Sequence, residues 1–99
     1  MFGIGAIFTY FIRFLGMKTH ILKTRSEFFI EVESGDKRAE IRYNDRDFQK
    51  GDIIVFCEYN GAYTGREIRA EITHILSGWG LQENYVALSF QILQLPSRD

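Results

Sequence analysis

The sequence predicts a mainly β domain of the α+β class: a small, strongly bent β-barrel with one helix covering an end. Three observations carry this. A single short segment, from Thr24 to Gly35, has apolar residues at helical spacing. Four runs that follow it carry strand-type composition and are parted by tight turns. One of them, Ile53 to Tyr59, is apolar on both faces, as a strand inside a covered sheet is. An open sheet of this composition would leave an apolar edge exposed to other chains, so closure is expected.

The first sixteen residues stand apart from the rest. They are apolar throughout, and Arg13 is their only charge. The run falls short of the roughly 20 apolar residues that span a bilayer, and it lacks the basic leader and small-residue cleavage site of a secretory signal. Three readings are open for this leader. Met17 is the natural start and the leader comes from an upstream codon; or the leader is an oily helix packed on the domain or a partner; or it is an interfacial anchor. The last ordinarily needs more basic residues, so membrane association is not expected.

The domain itself covers residues 17–93, followed by a tail, 94–99, that contains Pro96. His20-Ile21-Leu22-Lys23 reads as a first strand. Thr24-Arg25-Ser26-Glu27 has the form of a capping box. Phe28, Phe29 and Val32 make the buried face of a helix that Gly35 ends in a left-handed cap. Ala39 to Tyr43 is the second strand. A polar turn, Asn44 to Asp47, leads to Phe48 as an anchor and to the tight turn Lys50-Gly51-Asp52. After Ile53 to Tyr59, Asn60-Gly61 marks a hairpin, its loop lengthened by Thr64-Gly65. Arg66 to Ile75 alternates, with Ile68, Ala70 and Ile72 on one face. Ser77 to Gly80 is a loop, and Tyr85 to Ile92 is the last strand.

Ninety-nine residues with a formal charge of −1 make one domain without the basic balance of a nucleic-acid binder. An anionic partner must therefore meet a local patch. Residues 18–50 hold eight Lys/Arg against seven Asp/Glu, a balance of +1, while residues 51–99 hold three against six, a balance of −3. The helix side is the side of approach. A lone cysteine, Cys57, excludes an intramolecular disulfide and fits a reducing, cytoplasmic compartment. Two scattered histidines and that cysteine form no zinc signature. The sequence implies neither metal nor cofactor.

The chemistry-bearing residues gather where the helix ends. Glu40 and Arg42 are two apart on a strand and share a face, and Lys37 stands just before them. Together they form either a polar pocket at one barrel end or an ion pair on a solvated face. In the pocket, Arg42 offers a planar fork to phosphate or carboxylate, Lys37 a point charge, and Glu40 an acceptor for an amino group. Arg46 is a rim contact. His20 either lines the pocket or is structural. Trp79, between two glycines, either stacks on a base or plugs the barrel end, and Tyr63 has the same two readings. Cys57 is expected to be an inert buried thiol.

The series Ser-Gly-x-Lys-x-x-Glu-x-Arg from Ser34, then Asn44-Asp45-Arg46-Asp47-Phe48, then Lys50-Gly51-Asp52 before an apolar strand, resembles the ASCH superfamily with its PUA-like β-barrel. It is closest to a small prokaryotic and phage subfamily of unknown function. Tyr63-Thr64-Gly65-Arg66, Ile75-Leu76-Ser77-Gly78 and Gly80-Leu81 ahead of Tyr85-Val86 fit as well. The resemblance covers about Met17 to Ile92. It implies a cleft after the helix that binds RNA or a nucleotide-like ligand. Some single-domain members are amidohydrolases of acetylated cytidine, using a Lys two positions after the Gly, a Thr three further on, and a Glu from a later insertion. Lys37 matches the first; Glu40 stands in place of the Thr. The Leu76–Tyr85 connection is shorter than that insertion, with Glu83 its carboxylate. The expected function is therefore a non-catalytic RNA- or nucleotide-binding module. The alternatives are an amidohydrolase of an N-acylated nucleoside, with Lys37 and Glu40 catalytic, and an adaptor using the apolar N-terminus.

Overall fold

In the computed structural model, residues 16–97 are described. Strand β1 (Thr19–Arg25) runs directly into helix α1 (Ser26–Ser34), followed by β2 (Ala39–Tyr43), β3 (Ile53–Tyr59), β4 (Tyr63–Ser77) and β5 (Tyr85–Gln94). The strands form one curled five-stranded sheet in the order β1-β3-β4-β5-β2. β1 lies parallel to β3, and the remaining pairs are antiparallel. The expected mainly β fold with one helix is present, but the barrel is not closed. β1 and β2 occupy the two edges, with no backbone ladder between them.

Side chains do at this seam what a ladder would have done. The Arg42 guanidinium donates through Nη2 to the Lys23 carbonyl at 3.0 Å, and Arg46 donates through Nη1 to the Ile21 carbonyl at 2.5 Å. Two edge carbonyls of β1 are thereby satisfied by arginines from the β2 side. That occupies part of the edge which an exposed strand would offer to another chain.

The core fills the inner face of the curl. Leu22, Ile54, Phe56, Ile68, Ile72 and Leu88 are fully buried there, with Phe29 and Val32 of α1 laid over β1 and β3. The expected inward row of Ile68, Ala70 and Ile72 is fully buried. Phe28 departs from the expected helix face and is 46% exposed. This short helix buries only Phe29 and Val32, one turn apart, and Phe28 is carried round toward the β1–β2 seam.

The capping box does not form. β1 continues through Thr24, whose hydroxyl donates to the Leu22 carbonyl at 3.0 Å, and the N-cap position falls on Arg25 without a side-chain cap bond. Parallel pairing with β3, which sets Thr24 opposite Glu58, takes the residue into the sheet. The hairpin is also tighter than expected. Tyr63 already pairs with Tyr59, so Thr64 and Gly65 belong to β4. A register shift between Cys57 and Tyr59 accompanies the left-handed backbone of Gly65.

Gly35 ends α1 as expected, with φ +87 and its N–H bonded to the Val32 carbonyl. A Cβ there would meet nothing within 4 Å, so substitution is opposed by backbone conformation alone. Gly35→Ala is expected to destabilise the fold by about 1–2 kcal/mol, read as a lowered midpoint of urea unfolding.

The start of β1 is fixed by Asp52. Its carboxylate accepts from the Lys18 N–H (3.1 Å), from His20 Nε2 (2.8 Å) and from the Gln49 N–H (3.0 Å). Phe48 closes over the His20 ring at 4.7 Å between centroids. The Lys-Gly-Asp turn is thus a buried polar anchor joining β1 to the loop ahead of β3.

Candidate functional site

The open seam between β1 and β2 forms a cleft of about 450 Å³. Its floor carries Leu22 and Thr24 of β1 and Glu40 of β2, and its cations are Lys23, Arg25, Arg42 and Arg46. Phe28, Tyr43 and Tyr85 supply aromatic walls.

The helix exit places its polar centre. The Lys37 N–H bonds back to the Glu31 carbonyl at 2.9 Å, which holds Lys37 beside the first residues of β2. Its ammonium then donates to Glu40 Oε2 at 2.8 Å and to the Ala39 carbonyl. Arg42 Nε donates to the other oxygen, Glu40 Oε1, at 3.1 Å. The Glu40 side chain is only 12% exposed, so the carboxylate is held between two cations rather than on a solvated face. The geometry combines both readings of the sequence: an ion pair that is also the polar floor of a cleft.

Each arginine is partly engaged and partly available. Arg42 uses Nε on Glu40 and Nη2 on Lys23; Arg46 uses Nη1 on Ile21, with Nε 3.8 Å from Asp45. Among the described residues, Nη1 of Arg42 and Nη2 of Arg46 have no hydrogen-bond partner. Two planar donors are thus positioned at one gap, the arrangement suited to a phosphate or carboxylate.

Residues 19–90 match the family defined as "Domain of unknown function (DUF3850)". The chain belongs to the DUF3850 family. It is also similar to the "Uncharacterized 12.9 kDa protein in GpA 3'region" of Escherichia phage P2, 40% identical over 74 residues, 72% of this chain. The match covers 66% of that relative's own length, slightly under two thirds. The family match spans every residue of the cleft.

Within this DUF3850 domain the other candidates fall elsewhere. His20 lies on the face of β1 that carries Leu22 and Thr24, but its ring is enclosed by Asp52 and Phe48 and does not line the cleft. Tyr63 does not line the cleft: it lies level with Arg25 but two strands away, across β3, stacked edge-on against Tyr59 at 5.2 Å. Trp79 is exposed in the β4–β5 loop and plugs nothing. Glu83 lines a separate hollow beyond the Tyr43 end of β2. Lys37 precedes the other end of that strand, so about 15 Å of strand lies between them. Cys57 is half-buried, and burial, then the nearby Glu67, pushes its thiol up, with Arg69 opposing. Among the described residues no helix is long and apolar enough to cross a membrane. The apolar leader lies outside the described residues, apart from its last residue, Gly16.

Sequence reasoning missed the aromatic rim. Tyr43 and Tyr85 are register partners with rings at 5.5 Å, edge to face. Tyr43 alternates with Arg42, so it sits on the opposite face of β2 from Glu40 and Arg42 and carries the rim of the cleft around the edge strand. The only signal for this was a tyrosine at the end of one strand and another at the start of a later one.

Proposed function

We propose that this domain is a PUA-like binding module of the ASCH type that takes RNA or a nucleotide-like ligand in the β1–β2 cleft. The observation that carries the reading is the pair of arginines spanning the seam, each with donors still available, beside a carboxylate and two tyrosine rings. These are the groups such a ligand needs. Guanidinium N–H groups take phosphate oxygens, Glu40 accepts from an exocyclic amine, and an aromatic rim offers a stacking face.

The amidohydrolase alternative has less support from the geometry. Lys37 is held as a donor by Glu40 and Ala39, and Glu83 is beyond the opposite end of β2. Incubation with N-acetylated cytidine is therefore expected to release no acetate.

The test is a thermal-shift screen of the protein against nucleosides, nucleotides and short RNAs, repeated on Arg42→Ala and on Lys37→Ala. Ligand at a hundredfold excess over Kd adds about 2.7 kcal/mol to stability, a rise of several degrees. The expected result is a rise that Arg42→Ala abolishes and that Lys37→Ala reduces, since Lys37 lies outside the cleft lining and acts by holding Glu40. No shift with any probe up to millimolar concentration would count against the cleft as a small-ligand site.

A further inference from the structure

We infer that the ligand is a single-stranded nucleic acid of about four nucleotides or more, which leaves the cleft past Tyr43 and Tyr85 and stacks a base on Trp79. The inference rests on the cleft reading above and names its ligand class. Trp79 is 90% exposed. It also holds a left-handed backbone, φ +53, between Gly78 at +75 and Gly80 at +89. Glycine adopts that conformation freely, whereas a bulky side chain there is a genuine outlier. The turn is closed by the Leu81 N–H on the Gly78 carbonyl at 3.0 Å. The loop thus holds a strained backbone in place while keeping its largest apolar side chain in water. Backbone strain of this kind clusters at functional sites.

The loop is joined to the cleft. Its last residue before β5, Asn84, accepts the Asn44 N–H at 2.8 Å, and the next residue, Tyr85, lines the cleft. Ser77, Val86 and Arg42 are register partners across three adjacent strands. At about 4.8 Å per strand, Arg42 lies about 10 Å from the start of the loop. Trp79 is two residues beyond. At about 3.4 Å per stacked nucleotide, this path of about 10–17 Å takes about three to five nucleotides. Between them lies a hollow of about 410 Å³ carrying the amides of Asn44, Gln82 and Asn84 and the carboxylate of Glu83, with no Lys or Arg. Such a hollow suits base edges rather than phosphate. A mononucleotide would fill the cleft and leave both features unused.

Trp79 is the only tryptophan in the chain, so its fluorescence reports on this loop alone. The full chain is titrated with the four nucleoside monophosphates and with RNA and DNA oligomers of two to eight nucleotides, and affinity is also read by anisotropy of end-labelled oligomers. The expected result is binding of mononucleotides without quenching, then quenching and a gain of about tenfold in affinity at about four nucleotides, within the range of one base–aromatic stack. Either sugar meeting this pattern supports the inference. Trp79→Ala should erase the length-dependent gain and leave mononucleotide affinity within about twofold; Trp79→Gly, which relaxes the backbone, should behave alike. Mononucleotide binding that Arg42→Ala weakens, with no gain or quenching from any oligomer, overturns this inference alone and turns Trp79 toward a protein partner. No binding by any probe overturns the cleft reading and this inference with it.

Discussion

Asp52→Ala is expected to be the most destabilising single change outside the apolar core. The carboxylate is 2% exposed and accepts from three donors, Lys18 N–H, His20 Nε2 and Gln49 N–H. Of the three donors, the His20 ring is itself buried and has no ready access to water. Each hydrogen bond to a charged group contributes about 1.5–3 kcal/mol, and losing three together is expected to cost at least about 3 kcal/mol. For a domain of this size each kcal/mol moves Tm by about 4–8 °C, so a fall of more than 10 °C is expected in a thermal melt. The loss should be non-additive with His20→Ala: the double variant should be less destabilised than the sum, because the two residues satisfy one another. An Asp52→Ala protein that melts within a few degrees of the parent would show that the anchor contributes little. His20, whose ring is committed to this anchor, should leave ligand affinity unchanged in any variant that remains folded.

The second large effect concerns the seam. Arg42→Lys keeps the charge and loses the geometry. A guanidinium reaches Glu40 through Nε and the Lys23 carbonyl through Nη2 while still presenting a third nitrogen to the cleft. An ammonium is a point charge and cannot span the three positions. Loss of a hydrogen bond to a charged group amounts to about 2 kcal/mol, a weakening of about 30-fold in Kd for a phosphate-bearing ligand. Arg42→Ala should be at least as severe and should lower the slope of log K against log salt by about one. If both variants bind as the parent does, Arg42 serves only to close the seam.

Much of this was legible because it is local. β2 and β3 begin and end where the residue pattern says, Gly35 caps the helix, and the Ile68–Ala70–Ile72 alternation turns inward. Proximity of Lys37, Glu40 and Arg42 followed from spacing of two and three residues along β2 and the residues just before it. What was not legible depends on distant pairing. Thr24 looks like a cap until β3 claims it as a sheet residue. His20 looks available until Asp52, distant in sequence, comes to lie against its ring. The Tyr43–Tyr85 rim exists only once β2 pairs with β5. Closure was expected from the danger of an apolar edge, yet the edge carbonyls of β1 are met by Arg42 and Arg46, a solution that composition does not reveal.

The most direct measurement is a backbone amide NMR titration of the protein with a nucleoside monophosphate. The expected result is saturable shifts confined to Ile21–Arg25, Glu40–Arg46 and Tyr85, absent in Arg42→Ala. Saturable shifts that cluster elsewhere, or no shifts at millimolar ligand, would contradict a nucleotide site in the β1–β2 cleft.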